Sequence, residues 1–184
     1  MRFPIRWLLY SVGALLVVCL VFRFGGPASA FAKAHRSLGR QAYAQGRYAD
    51  AAHEFRIASL LGFSHERERA AALFHLGELE KAEHILRREG DSPGAIVTLG
   101  VVLMAQDRDT EAEQAYQSVL NRQTGRSHGD KALAEYNLSI LYRKRGDKVE
   151  AKQAHQGAVE WSKGDVATWS GPQPIYPYPS STPR

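Results

Sequence analysis

The stretch HRSLGRQAYAQGRYADAAHEFRIASLLGF at residues 35–63 decides the fold. It places Gly39 in one run of helix-forming residues, and Ala51 and Phe55 one helical turn apart in the next run. Two helices that cross closely need a small side chain at the contact and larger side chains three or four positions away. Gly46, between the runs, suits the left-handed backbone geometry that often ends a helix. The stretch therefore predicts a helical hairpin.

The same register returns three more times, which indicates internal repeats. The predicted units are residues 32–65, 66–91, 93–124 and 131–163. The positions expected to pack one helix on the next are Leu38, Gly39, Ala51, Phe55, Ala82, Leu99, Gly100, Ala112, Tyr116, Leu138, Ser139 and Ala151. Gly77 and Gly146 stand where Gly46 stands in the first unit, and Asp107, which tolerates the same backbone geometry, takes the place of glycine in the third.

This pattern resembles the tetratricopeptide repeat (TPR) family, whose units read W-x2-L-G-x2-Y followed by A-x3-F. The resemblance covers residues 32–163 and implies an all-α right-handed superhelix of about four antiparallel helix pairs. The second unit departs from the family pattern, because Arg69 stands at an expected leucine. The interval from Ala112 to Ala151 is 39 residues, and it contains NRQTGRSHGDK at 121–131, which is predicted to be a surface loop.

The N-terminal segment predicts a membrane helix. Residues 7–22 read WLLYSVGALLVVCLVF, without a charge, and they follow Arg2 and Arg6 and precede Arg23. Sixteen helical residues span roughly 24 Å, somewhat less than a hydrocarbon core of about 30 Å. Interfacial aromatic residues and a snorkelling arginine extend that reach. We therefore expect a transmembrane signal anchor with its apolar span at 7–24.

A cleaved signal peptide is the competing interpretation of residues 1–30. Ala28-Ser29-Ala30 fits a small-residue cleavage site, so cleavage is expected near Ala30 if it occurs. Both interpretations export the remainder of the chain. The first predicts a single-pass protein of the bacterial inner membrane with its C-terminal domain in the periplasm, and the second predicts a secreted or periplasmic protein.

The C-terminal residues 164–184 predict a flexible tail. The segment SGPQPIYPYPSSTPR holds five of the eight prolines in the chain, and proline disrupts helices. We expect an extended, polyproline-like or disordered conformation. The tail is either a plain solvated terminus or a docking segment, since Trp169, Tyr176 and Tyr178 are unusual in a purely solvating tail.

Charge argues against a nucleic-acid-binding protein. The formal net charge is +5, and three of the positive charges lie in the first thirty residues, which hold no acid. The remaining 21 basic and 19 acidic residues are nearly balanced. A nucleic-acid-binding domain would show a concentrated basic footprint instead.

The sequence holds no complete motif for catalysis, metal binding or cofactor binding. His65 and Glu66 match the first two residues of the H-E-x-x-H motif, but Arg69 stands at the position of the second histidine. Residues 107–111 resemble the start of a calcium-binding loop but lack the glycine that such a loop needs. They are better interpreted as a helix N-terminus with Asp109 or Thr110 as its cap. The sequence therefore predicts a protein that is not an enzyme and has no cofactor or metal.

In the TPR family the first helices of the units line a concave groove that binds a partner. The resemblance assigns this role to Lys33, Arg36, Arg40, Tyr43, Arg67, Phe74, Val97, Val101, Met104, Tyr136, Ile140, Arg143 and Lys144. Such a groove has basic ends and an apolar middle, which suits an apolar peptide or helix with acidic flanks. Residues 94–106, GAIVTLGVVLMAQ, are apolar on nearly all sides. Either neighbouring repeats cover both faces of this helix, or one face awaits a partner.

The architecture is similar to small, N-terminally anchored TPR proteins of the bacterial envelope. It implies a non-catalytic protein–protein interaction scaffold that serves as an assembly or maturation adaptor for an envelope complex or a periplasmic enzyme, for example in methanol-dehydrogenase-type maturation. The alternative is a constitutive structural subunit of an inner-membrane secretion, pilus or translocon complex.

Overall fold

The computed structural model of the protein describes residues 27–62, 64–122 and 128–162, and these residues form eight α-helices. The helices are α1 (Pro27–Ala44), α2 (Tyr48–Leu60), α3 (Glu66–His75), α4 (Leu79–Glu89), α5 (Pro93–Ala105), α6 (Asp109–Leu120), α7 (His128–Arg145) and α8 (Lys148–Ser162). No residue in these three ranges lies in a strand. The prediction of an all-α protein is therefore confirmed for the described part of the chain.

The eight helices form four pairs, and one type of turn joins the two helices of every pair. The turn is centred on a residue with positive φ, namely Gly46 (72°), Gly77 (75°), Asp107 (57°) and Gly146 (91°). The N–H of that residue donates to the carbonyl three residues back, and the next N–H donates to the carbonyl five residues before it; both distances are 2.9 Å at Gly46. This is the Schellman pattern of helix termination. The prediction that Asp107 replaces glycine in the third turn is confirmed.

The pairs stack in chain order. Each helix contacts the next one along the chain, and α5 also contacts both α3 and α7, which are the first helices of the neighbouring pairs. Within a pair the turn is too short to separate the helices, so they run antiparallel. The result is a helical, repeat-like array, as the recurring register predicts.

A small residue faces a buried aromatic ring within two of the pairs. Gly39 of α1 lies against Phe55 of α2, and Gly100 of α5 lies against Tyr116 of α6; both rings are 0 % exposed. A Cβ atom on Gly39 would stand 2.7 Å from the Phe55 ring, which leaves no room for any side chain. These glycines are therefore fixed by packing rather than by backbone conformation.

The residues predicted to pack helix on helix lie inside the array, with one exception. The buried members are Gly39, Ala51, Phe55, Ala82, Gly100, Ala112, Tyr116, Leu138, Ser139 and Ala151, and Leu99 is half-buried. Leu38 is 49 % exposed, so its assignment as a packing residue is corrected. It lies on α1, and within the described ranges no helix precedes α1 to cover it.

Two helices begin earlier than the predicted units. Helix α1 begins at Pro27, so residues 28–30 lie in its first turn. Helix α7 begins at His128 rather than at 131.

The predicted leader and tail fall largely outside the structure. The apolar span at 7–24 and the Pro-rich tail at 164–184 lie outside the described residues. Within the ranges that are described, no helix combines the length and the apolar character needed to cross a bilayer.

Candidate protein-binding face

The first helices of the pairs, α1, α3, α5 and α7, carry the residues predicted to face a partner. Helix α5 contacts both α3 and α7, and α1 meets α3 through the rings of Tyr43 and His75, so the four first helices lie side by side along the array. We call this side the first-helix face. Its two ends and its middle differ in charge and in burial.

The α1 end of the first-helix face is basic. Lys33 and Arg40 are exposed, and Arg36 is half-buried. The Arg36 Nε atom is buried and meets no hydrogen-bond partner among the described residues. The side of α1 toward α2 is held by His35, whose Nδ1 lies 2.5 Å from the Glu54 carboxylate. The three cations of α1 therefore concentrate positive charge on a helix that is fixed to its neighbour.

An aromatic cluster follows where α1 meets α3. The rings of Tyr48 and His75 stack with their centroids 4.4 Å apart, and Tyr43 meets His75 edge-on at 5.4 Å. Phe74 is half-buried, and its ring lies 5.2 Å from that of His75. Partial burial in this cluster lowers the pKa of the His75 imidazole. Tyr43 is only 6 % exposed, so it belongs to this packing more than to the surface.

The middle of the first-helix face is core. Helix α5 contributes Ala95 and Val102 to one apolar cluster, shared with the first two pairs, and Val97 and Met104 to a second, shared with the last two pairs. Val97 is 0 % exposed, Val101 is 1 % exposed and Met104 is 8 % exposed. These three residues therefore hold the array together rather than offer a surface to a partner. Coverage of both faces by neighbouring helices explains why α5 is apolar all round.

Two cations assigned to the groove are engaged within the chain. Arg67 lies 3.4 Å from the Glu89 carboxylate and ties α3 to α4. Lys144 donates to Asp107 at 2.8 Å and to Asp109 at 3.0 Å, which fixes the end of α7 to the turn before α6. The hydrogen bond from Lys144 lowers the pKa of the Asp107 carboxyl.

The α7 end of the first-helix face opens into a pocket with α8. The pocket has a volume of about 340 Å³ and is lined by Arg143, Lys148, Ala151, Lys152 and His155. We call it the basic pocket, since three of its lining residues are basic, but the surface that it exposes is almost entirely apolar, because these side chains line it with their carbon atoms.

Two more predicted residues lie beside the basic pocket on α7. Tyr136 packs on Ala158 and its ring lies 6.3 Å from that of His155, and the half-buried Ile140 packs against the same cluster. The sequence interpretation missed Lys148, Lys152 and His155. Their spacing of four and three residues places them along one face of a helix, and this spacing is the signal that could have revealed them.

An ion-pair network joins the second and third pairs. Arg108 lies 2.8 Å from Glu83 of α4 and 2.7 Å from Glu111 of α6. Burial acts to raise the pKa of Glu83, but hydrogen bonds from Arg108 and Arg87 outweigh it and lower that pKa. The interpretation of residues 107–111 as a helix N-terminus is confirmed, because α6 begins at Asp109 with Glu111 in its first turn. The predicted cap was wrong, since the N-cap is Arg108 and no side chain caps the helix.

Metal ligation has no evident site in this part of the chain. Among the described residues, no three His, Cys, Asp or Glu side chains converge to hold a metal ion. The chain matches no protein-family model, and no curated protein is significantly similar to it.

Proposed function

We propose that this chain is a TPR-like scaffold that binds another protein and carries out no chemistry of its own. The observation that carries the proposal is the repetition of one helix pair four times on one turn type. Stacked pairs of this kind form right-handed superhelices whose first helices line an extended concave surface, and such surfaces serve in protein binding.

The proposed binding surface consists of the exposed parts of the first-helix face. At one end Lys33, Arg36 and Arg40 supply positive charge, and at the other end Arg143 lies beside Ile140. A partner segment with acidic groups toward its ends complements this distribution. The buried valines of α5 pack between the neighbouring helices. This packing fixes the distance between the two basic ends of the surface.

The proposed cellular setting rests on the leader. The charge-free run within residues 7–24 and the basic residues around it favour export and membrane tethering. On this basis the array lies in the periplasm and acts as an adaptor in the assembly of an envelope complex or the maturation of a periplasmic enzyme.

Charge reversal on α1 tests the binding surface. In the full-length chain, Arg36→Glu together with Arg40→Glu replaces attraction by repulsion of an acidic partner. We expect recovery of the partner with the tagged chain, after mild detergent extraction, to fall about tenfold, which corresponds to about 1.4 kcal/mol. Far-ultraviolet circular dichroism of the purified variant checks that the helices remain.

The matched control places the same charge change on second helices. Arg56 of α2 and Lys81 of α4 are exposed, and the double variant Arg56→Glu with Lys81→Glu is expected to recover the partner as the unmodified chain does. Undiminished recovery by the α1 variant, or equal loss in both variants, contradicts the proposed surface.

The same recovery experiment separates the two proposed roles. A partner present in constant stoichiometry indicates a structural subunit, and substoichiometric clients indicate an adaptor.

A further inference from the structure

The basic pocket gathers cations that no carboxylate balances within the described residues. The neighbouring cations of α7 do find partners, since Lys144 pairs with Asp107 and Arg145 with Glu113. Arg143, Lys148 and Lys152 form no such ion pair in the described part of the chain. The guanidinium of Arg143 reaches only a backbone carbonyl, that of Ser139, at 3.2 Å.

The pocket lies on a side of α8 that no helix of the described residues covers. The earlier second helices, α2, α4 and α6, are each covered by the first helix of the next pair. Within the described residues no helix follows α8, and Val149 and Val159 on that helix are 65 % and 38 % exposed. A repeat array needs a cap over its last unit, because an internal repeat presents a surface made for a neighbour.

We propose that the basic pocket is the docking site of this chain's own C-terminal tail, residues 164–184, whose aromatic side chains pack on the apolar lining of the pocket beside its cations. Lysine and arginine are attracted to the faces of tyrosine and tryptophan rings, and the tail carries Trp169, Tyr176 and Tyr178. The last pair already contains one such contact, because the Lys131 ammonium lies 4.9 Å from the centre of the Trp161 ring.

The length of the tail allows this docking. Helix α8 has 15 residues and is about 22 Å long. The tail starts beside its end at Ser162 and, at about 3.1 Å per residue in a polyproline conformation, extends roughly 65 Å. The tail is therefore long enough to run back along α8 to Lys148 with residues to spare. Proline stiffens the segment in advance and attachment raises its effective concentration, so both features lower the entropy cost of docking.

Docking of the tail has a consequence for the first-helix face. Arg143 belongs both to the basic pocket and to the α7 end of that face, so the tail and a partner compete for this end, and a bound partner displaces the tail. The docking itself does not depend on the proposed function, since it concerns contacts within one chain.

Paramagnetic relaxation in the full-length chain tests the proposal. The variant Cys19→Ser with Ser180→Cys carries a nitroxide label on the tail, and its backbone amide signals are compared with the label oxidised and reduced. We expect Arg143 and residues 148–152 to lose most of their signal, whereas α3 keeps its signal. These residues are decisive because the length of α8 separates them from Ser162. A label on an undocked tail would broaden signals near Ser162 in any case.

Two controls separate specific docking from chance proximity. Replacing Trp169, Tyr176 and Tyr178 by alanine in the labelled chain is expected to restore the signals of 148–152. The double variant Lys148→Gln with Lys152→Gln is expected to restore the signal of Arg143, whereas Lys33→Gln with Lys81→Gln leaves the broadening in place.

Three outcomes would overturn the proposal. The first is broadening confined to the residues next to Ser162, and the second is broadening spread evenly over all exposed helices. The third is broadening that appears when labelled chains are mixed with isotope-enriched unlabelled chains. That last result would assign the pocket to the tail of a second copy.

Discussion

Replacing Tyr116 by alanine is expected to lower the free energy of unfolding by about 4 kcal/mol. The ring is 0 % exposed and fills the space between α5 and α6, where its hydroxyl donates to the Met104 sulfur at 3.3 Å. Alanine removes the transfer free energy of the ring and leaves a cavity that the surrounding helices cannot fully close. Most domains are stable by only about 5–15 kcal/mol, so this loss is large.

Urea unfolding of the full-length chain, followed by circular dichroism, measures this effect. The matched control is Tyr116→Phe, which keeps the ring and removes only the hydroxyl. Because the hydroxyl makes one weak hydrogen bond to sulfur, we expect a loss of about 1 kcal/mol or less. If alanine and phenylalanine destabilised the protein equally, the ring would not be the core element that the structure shows.

Replacing Gly100 by alanine is expected to destabilise the protein by about 2 kcal/mol. An added Cβ would stand 2.6 Å from Cζ of the Tyr116 ring, and that ring is packed on every side. Helix propensity alone predicts the opposite sign, because alanine is favoured over glycine within a helix by about 1 kcal/mol. The sign of the change therefore distinguishes close helix contact from an ordinary helical position.

Gly157→Ala is the matched control for Gly100→Ala. Gly157 also lies within a helix, but its added Cβ would meet the flexible end of the Glu135 side chain at 2.9 Å, and that end can move away. We expect this variant to be unchanged or more stable by about 0.5 kcal/mol.

In the double variant that combines Gly100→Ala with Tyr116→Leu, the smaller leucine should relieve part of the Gly100→Ala penalty, so the two losses of stability should not add. Strict additivity would show that the two residues do not touch.

The sequence predicts the helix pairs because the rules that form them are local. Gly46 and Asp107 end helices through backbone geometry that few residues adopt, and glycine opposite an aromatic residue marks a close crossing. Both signals depend on residues that are near one another in the chain. The helical class, the within-pair turns and the close helix crossing at Gly100 follow from them, whereas the structure was needed to show that the Tyr116 ring lies against Gly100.

The exposure of particular residues could not be predicted in the same way, because it depends on which helices lie next to each other. Leu38 occupies a packing position in its unit, yet no described helix covers it. Val101 is as apolar as a groove residue would be, and only the contacts of α5 on both sides show that it is core.

The basic pocket was missed for the same reason. Lys148 and Lys152 look like ordinary solvated lysines in the sequence. Their significance comes from Arg143 on α7, which lies on the opposite wall of the pocket, and from the exposure of α8, over which no described helix lies. The ion pair between Arg108 and Glu83 could not be predicted from the sequence either, because Glu83 lies on a helix of the preceding pair.

Site-specific photo-crosslinking in native cells tests most directly whether the first-helix face binds a protein. A photoreactive residue is placed singly at Lys33, Arg40 or Arg143, and for comparison at the exposed positions Arg56 and Gln153 on second helices. The proposed function predicts that the three first-helix positions capture the same protein and that the two second-helix positions do not. Capture of that protein from the second-helix positions alone, or equally from all five, would contradict it.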